Sequence, residues 1–456
     1  MKHATPSSQS VDAAGIGAFI EAVEADGRIE PHGLIVQRHG HRIAEGYWAP
    51  HDRGRGRLVY SLSKSFTGAA LGFQIAEGRL TLDDLVSDHL PDIDVHDDAK
   101  RLRIRHIASM ATGHTDETLG DARAADPSDV VQGFLSLPAP HEPGTVFAYN
   151  QPPVLTLATI LERLAGERLS SYLAPRLLQP LDIDTFRWAQ WPPGLDIGFS
   201  GVFTNLDAIA KLGQLHLDGG THDAREVLSK AWISEASSTQ TNNPDGETID
   251  WQQGYGFQLW QSQHGYRGDG AFGQYMVVLP EHDAVIAMFS NTDHMQVVLD
   301  LMWEHLLPAF DRPGAAADTA LAALLESLQL PTAAERLSAP PGLPTTDAVF
   351  GPAPPTPTSH RPITSVELRS GGILIHESDQ SLDLPLTEQW ITKGNIASSA
   401  AQHADGKLSV DVIFLNTPHR LELTLTNGEF QSDWGRLPLF GAGISNLLWE
   451  IADAPN

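Results

Sequence analysis

Cysteine is absent from the 456-residue chain, which excludes disulfides, thiolate metal sites and cysteine nucleophiles. Positive charge is scarce: 30 Lys and Arg stand against 57 Asp and Glu, a formal balance of −27. Nucleic-acid binding depends on a basic surface that releases counterions from phosphates, so that class is excluded, and anionic membranes are disfavoured for the same reason. No stretch approaches eighteen apolar residues, and the start, Met1-Lys2-His3-Ala4-Thr5-Pro6, lacks a secretory apolar core. A soluble cytoplasmic protein is therefore the expectation. There is no Gly-x-Ser-x-Gly elbow and no His-Glu-x-x-His helix, which leaves an α/β-hydrolase triad and a zinc-protease site unsupported. Regular βαβ alternation and internal repeats are missing too, so doubly wound folds rank low.

What is present suits a large buried core, with 41% hydrophobic and 19% charged residues. Apolar spacings of three and four (Ile16, Phe19, Ile20, Val23) predict a helix over Val11 to Ala25. His32 to Arg38 and Arg42 to Trp48, around His39-Gly40-His41, predict an antiparallel hairpin. Leu58 to Ile75 reads as helix, ending at Gly78. From Leu80 to Leu217 helical patterns alternate with Pro/Gly loops. Strands are expected at Tyr255 to Ser262, Gln274 to Leu279 and Ala284 to Ser290, with turns at 265–270 and 280–283 and a closing helix at Gln296 to Leu307. Strands at both ends with helices between argue α+β: an antiparallel sheet covered by helices, with an all-helical insertion. Domain boundaries are expected as residues 1–310 for this unit, 311–362 for a Pro-rich linker, and 363–456 for a small, mostly β C-terminal domain, whose strands are read at Ser365 to His376, Leu408 to Leu415 and Leu421 to Leu425. That last unit would shape the cleft or mediate homodimerisation.

The sharpest motif is Tyr60-Ser61-Leu62-Ser63-Lys64-Ser65-Phe66. Three apart on a helix, Ser61 and Lys64 share a face, with Ser61 at the positive N-terminal end. A serine hydroxyl is a weak nucleophile until a base takes its proton, and a neutral lysine amine can do so. Its pKa would have to fall from about 10.4 to near 7, roughly 4 kcal/mol of burial and neighbouring charge. With only 7 lysines in the chain, one Ser-x-x-Lys is weak alone, and an ordinary capped helix with a surface lysine would produce it as well.

The wider set carries more. The Ser-x-x-Lys segment, followed by Gly78-Arg79-Leu80-Thr81-Leu82-Asp83-Asp84, resembles the class C β-lactamase, penicillin-binding-protein and family VIII esterase superfamily. Ile107 to His114, Pro143-Gly144-Thr145-Val146-Phe147-Ala148-Tyr149-Asn150-Gln151, Gly254 to Phe257, and Gly268-Asp269-Gly270-Ala271-Phe272-Gly273 follow in the family's order. The resemblance spans about Val11 to Leu307. It implies a serine hydrolase with Ser61 as acylated nucleophile, Lys64 as its activating partner and Tyr149 as second base and acid, the two bases titrating as a coupled unit. The Ser61 and Ala271 amides, next to Gly270, would form the oxyanion hole. No cofactor and no metal is implied.

Two departures stand out. Gln151 replaces the usual Asn and keeps an amide with longer reach. Gly268-Asp269-Gly270 stands where relatives carry Lys-Thr-Gly or His-x-Gly, which leaves Arg267 as the adjacent cation for substrate binding and weakens the case for β-lactam carboxylate recognition. Gly268-x-Gly270-x-x-Gly273 also matches a dinucleotide fingerprint, but strand-like residues follow it where a helix is required. His39 and His41 read as a solvated turn rather than a metal clasp. Trp188, Trp191, Trp251 and Trp260 read as core before pocket. The expected substrate is a small ester, aminoacyl amide or short peptide, neutral or cationic given the acidic surface. A β-lactamase or penicillin-binding D-peptidase, and a non-catalytic binding protein, are the alternatives.

Overall fold

The computed structural model describes residues 1–312, 314–340, 342–378, 380–439 and 443–447. Among these, one seven-stranded sheet carries the larger unit. Its strands are β1 (Lys2–His3), β2 (Glu30–Arg38), β3 (His41–Tyr47), β4 (Trp260–Gln261), β5 (Tyr266–Gly270), β6 (Gln274–Leu279) and β7 (Ala284–Asn291), in spatial order β1-β3-β2-β7-β6-β5-β4. All pairs are antiparallel except β1 with β3. The β2–β3 hairpin turns at His39 and Gly40, both at positive φ and exposed.

Alternation along the inner strands sorts their side chains onto two faces. Leu34, Val36, Tyr275, Val277, Ile286 and Met288 pack with helix α1 (Ala13–Ala25). Ile35, Met276, Val278, Ala287 and Phe289 pack with helix α2 (Ser63–Ala76) and, further along the chain, with α3 (Gln151–Ala165) and α4 (Leu206–Leu217). Short helices between α2 and α4 form the helical insertion. The α+β arrangement expected from the sequence is thus observed.

Three local expectations are corrected. Tyr255 to Ser262 is mostly irregular, with only Trp260–Gln261 in strand. Residues 265–270, expected as a turn, instead supply β5. The glycines that suggest a turn are there for close approach: a Cβ on Gly268 would lie 2.4 Å from Ser65 Oγ, and one on Gly270 2.0 Å from the Val59 carbonyl. Finally, residues 311–362 are not a bare extended connector. They contain helices at Asp318–Ser327 and Ala333–Leu337 and strand β8 (Ala348–Pro352). Leu321, Leu328 and Leu330 bury against the α1 side of the large sheet, which apolar burial favours over a solvated linker.

The C-terminal unit is a second sheet of nine strands among the described residues: β8, β9 (Ile363–Arg369), β10 (Gly372–Glu377), β11 (Gln380–Pro385), β12 (Ile391–Lys393), β13 (Ile396–Gln402), β14 (Leu408–Phe414), β15 (Arg420–Thr426) and β16 (Glu429–Trp434). Their spatial order is β11-β10-β9-β8-β16-β15-β14-β13-β12. Ala400 N and Ser398 Oγ reach the Thr387 and Pro385 carbonyls and curl the sheet toward a barrel around its own apolar core. Residues 440–442 and 448–456 of the expected C-terminal unit lie outside the described residues.

Candidate active site

Ser61 lies in a single 3-10 turn, Tyr60–Leu62, that leads into α2. The turn is fixed from several sides. Val59 N donates to the Val202 carbonyl at 2.9 Å, Ser63 Oγ donates to the Tyr60 carbonyl at 2.6 Å, and Val202 N donates to Ser63 Oγ at 2.9 Å. One helical turn on, Lys64 Nζ donates to Ser61 Oγ at 3.2 Å, to Gln151 Oε1 at 2.8 Å and to the Phe199 carbonyl at 2.9 Å. The side chain is 2% exposed. Burial brings its pKa down to about 7, against the pull of Asp269 and Glu117.

Tyr149 enters from the segment before α3. Asn150 caps that helix and is buried, and its Oδ1 accepts from Thr118 N and Oγ1 at 3.0 and 3.1 Å, which pins the segment. The Tyr149 ring lies 4.6 Å from Lys64 Nζ and stacks on Trp260 at 5.1 Å. Its hydroxyl makes a hydrogen-bonding contact with Ser61. Burial, reinforced by Asp269, pushes the phenol above its ordinary value despite that contact, the reverse of the lowering that a second base requires. With Lys64 near 7 and Tyr149 raised, the amine is the one of the two groups that can lose its proton near neutral pH, and the phenol is protonated there.

Gln151 opens α3 and uses its longer side chain to reach Lys64 directly. Gly270 ends β5 against the Val59 carbonyl, so Ala271 follows immediately beside the Ser61 turn. Arg267 is different. It is fully buried, pairs with Asp269 at 2.8 Å, donates to the Asp250 and Gln261 carbonyls and to Ser262 Oγ, and lies 4.3 Å from the Trp251 ring. It neutralises a buried carboxylate and is not presented to a substrate, so its expected binding role is withdrawn.

Three contributors escaped the sequence reading. The Phe199 carbonyl has no side-chain signature, although Gly198 and Gly201, both at positive φ, mark the bend that presents it. Glu117, exposed near Lys64, accepts from Gln151 N at 3.2 Å. Asp269 acts through its charge on both Lys64 and Tyr149. Away from the site, Glu30, His32 and His51 bring ligand-type atoms within 4.8 Å of one another. The two rings lie tilted with centroids 3.9 Å apart and Arg420 already meets Glu30, so an ion pair accounts for that cluster.

The fold and this Ser-x-x-Lys arrangement define the class: a serine hydrolase of the β-lactamase-like kind. Residues 16–309 match the family model described as Beta-lactamase, and the chain belongs to that family. It is 28% identical over 288 residues to the 6-aminohexanoate-dimer hydrolase of Paenarthrobacter ureafaciens, covering 57% of this chain and 72% of that protein. Its fold is similar to that of EstCE1, a hydrolase with promiscuous acyltransferase activity (TM-score 0.53, 18% identity, 64% of this chain and 99% of that one). The octameric penicillin-binding protein homologue from Pyrococcus abyssi (TM-score 0.53, 14% identity) aligns over 92% of this chain and 100% of its own, thus including the C-terminal sheet. Among the described residues no helix is long and apolar enough to cross a membrane.

Proposed function

We propose that this hydrolase cleaves a small linear amide or ester through an acyl-enzyme on Ser61. The observation that carries the reading is the buried Lys64 amine hydrogen-bonded to the Ser61 hydroxyl, its pKa brought down to about 7 by burial. Lys64 takes the proton as Ser61 attacks the carbonyl carbon. The developing oxyanion is held by the Ser61 and Ala271 amides, a pairing supported by the close seating of Gly270 on the Ser61 turn. Collapse expels the leaving group, which takes a proton from the Tyr149 phenol as the Lys64 ammonium returns the Ser61 proton to that phenol, and water enters by the same route in reverse to release the acid. Gln151 and the Phe199 carbonyl hold the Lys64 amine in line.

An amide is favoured over an ester because an amine must be protonated to leave and a protonated phenol stands beside Ser61; the amide-cleaving relative supports the same choice. Penicillin recognition is disfavoured. The Lys or His of relatives is Gly268 here, packed against Ser65, and Arg267 is turned away. Glu117 and the −27 charge favour neutral or amine-bearing substrates over carboxylates.

Intact-mass measurement after a serine-reactive fluorophosphonate tests the assignment, with one adduct expected on the native chain and none on Ser61→Ala. An unchanged adduct on Ser61→Ala would refute it. Aminoacyl amides, linear ω-amino amides, aryl esters and a chromogenic cephalosporin then rank the substrates, the cephalosporin last.

A further inference from the structure

Tyr60, immediately before Ser61, has φ of +49° and is 2% exposed. Phe272, immediately after Ala271, has φ of +67° and is 6% exposed. Bulky side chains rarely adopt the left-handed region, and they persist there only where the surroundings over-determine them. These two rings meet edge to face at 5.2 Å. Both also meet one ring from the C-terminal sheet: His419 lies 5.9 Å from Tyr60 and 4.9 Å from Phe272.

His419 is fully buried, and its Nε2 sits in hydrogen-bond contact with the Tyr60 hydroxyl. It belongs to the loop between β14 and β15, and the same loop grips the chain leading to Ser61. The Asn416 carbonyl accepts from Leu58 N at 2.9 Å, and the Thr417 carbonyl accepts from the Arg57 guanidinium at 2.7 Å. The loop is itself braced, since His419 N donates to Thr417 Oγ1, Thr417 N to the Phe414 carbonyl, and Phe414 N to the His419 carbonyl. Burial holds the imidazole down to about 3 and pushes the Tyr60 phenol up, so both stay neutral through the working range and one neutral hydrogen bond joins them.

We propose that His419, reaching over from the C-terminal domain, is a positioning residue for hydrolysis: it holds Tyr60 and Phe272 in their strained conformations and thereby aims the Ser61 hydroxyl and the Ala271 amide at one carbonyl. The inference rests on Ser61 being the nucleophile. Misplacing a reacting group by about 1 Å can cost on the order of 100-fold in rate, and the Ser61 turn has this support on the side facing the second domain.

The experiment compares native protein, His419→Leu, His419→Gln, Tyr60→Phe and the Leu/Phe double variant. It reads the second-order rate of fluorophosphonate labelling, kcat and KM on an aryl ester across pH, and the melting temperature. His419→Leu and Tyr60→Phe should each slow labelling roughly 10- to 100-fold, with kcat falling more than KM and the acid limb staying near 7. The double variant should be no slower than the worse single one. His419→Gln, which retains an acceptor, should recover part of the loss. Labelling of His419→Leu at the native rate, even with an earlier melt, would reduce the contact to simple packing and overturn the proposal. If His419→Leu does not fold, Tyr60→Phe removes only the hydroxyl and decides in the same way. Loss of labelling in Ser61→Ala alongside native rates in these variants sinks only the positioning role, whereas labelling retained in Ser61→Ala sinks the nucleophile assignment itself.

Discussion

At the scale of single residues, the functional asymmetry lies between an amine made easy to deprotonate and a phenol made hard to. Lys64 must be neutral to act, so kcat/KM on a neutral ester should rise with unit slope to about pH 7 and then stay level through pH 10, because Tyr149 keeps its proton throughout. A pH-rate profile with a falling limb below pH 9 would contradict this. The same shift affects stability. An unfolded lysine holds its proton to about 10.4, whereas the folded one releases it near 7. Between those values the unfolded chain binds more protons, so this group's penalty on folding shrinks as pH rises through that window and is greatest below it. Urea midpoints of native protein and Lys64→Met should therefore differ most at pH 6 and converge toward pH 10. Lys64→Met should also lower kcat by about 10²- to 10⁴-fold, the range for a lost general base.

Among the elements, the junction of β5 with the Ser61 turn is the tightest point. Gly270 permits an approach that any Cβ would obstruct, and the obstructing atom is the Val59 backbone carbonyl rather than a flexible side chain. Gly270→Ala should cost about 1–3 kcal/mol, as overpacking does, and should reduce kcat more than substrate affinity because Ala271 shifts with it. Denaturant unfolding and steady-state kinetics together check this. Gly268→Lys, which reinstates the residue common among relatives, meets Ser65 Oγ, a side-chain atom that can move. It is the better route to asking whether penicillin labelling can be restored.

For the whole molecule, the two sheets are joined by buried charge as well as apolar contact. Arg420 of β15 pairs with Glu30 of β2 at 2.9 Å and with Asp411 of β14, and Ala397, Ile413 and Leu415 bury in the core of the larger unit. Arg420→Met leaves Glu30 without its arginine while Asp411 keeps Arg336 at 2.8 Å, and should destabilise by about 3 kcal/mol, seen by calorimetry as a lower melting temperature. The charge of −27 acts at longer range. An amine-bearing ester should show higher kcat/KM than its carboxylate counterpart, with the gap narrowing as salt rises from about 0.01 to 0.5 M, because the Debye length contracts. A gap insensitive to salt would place the preference in local contacts such as Glu117.

Periodicity and local spacing carried the fold class and the Ser61–Lys64 pair as a candidate, because both are properties of neighbours in sequence, whereas Tyr149 entered as a candidate only through the family resemblance. The strand at Tyr266–Gly270 was hidden because glycine reports freedom without saying whether it is used for turning or for close approach. What only the tertiary structure decided came from distant segments meeting. Burial sets the direction of the Tyr149 shift, Asp269 withdraws Arg267 into the interior, a carbonyl at Phe199 takes a share of Lys64, and His419 arrives beside Tyr60 from 359 residues away. Electrostatics and packing depend on distance in space, and residues far apart in the chain acquire such distances only when it folds.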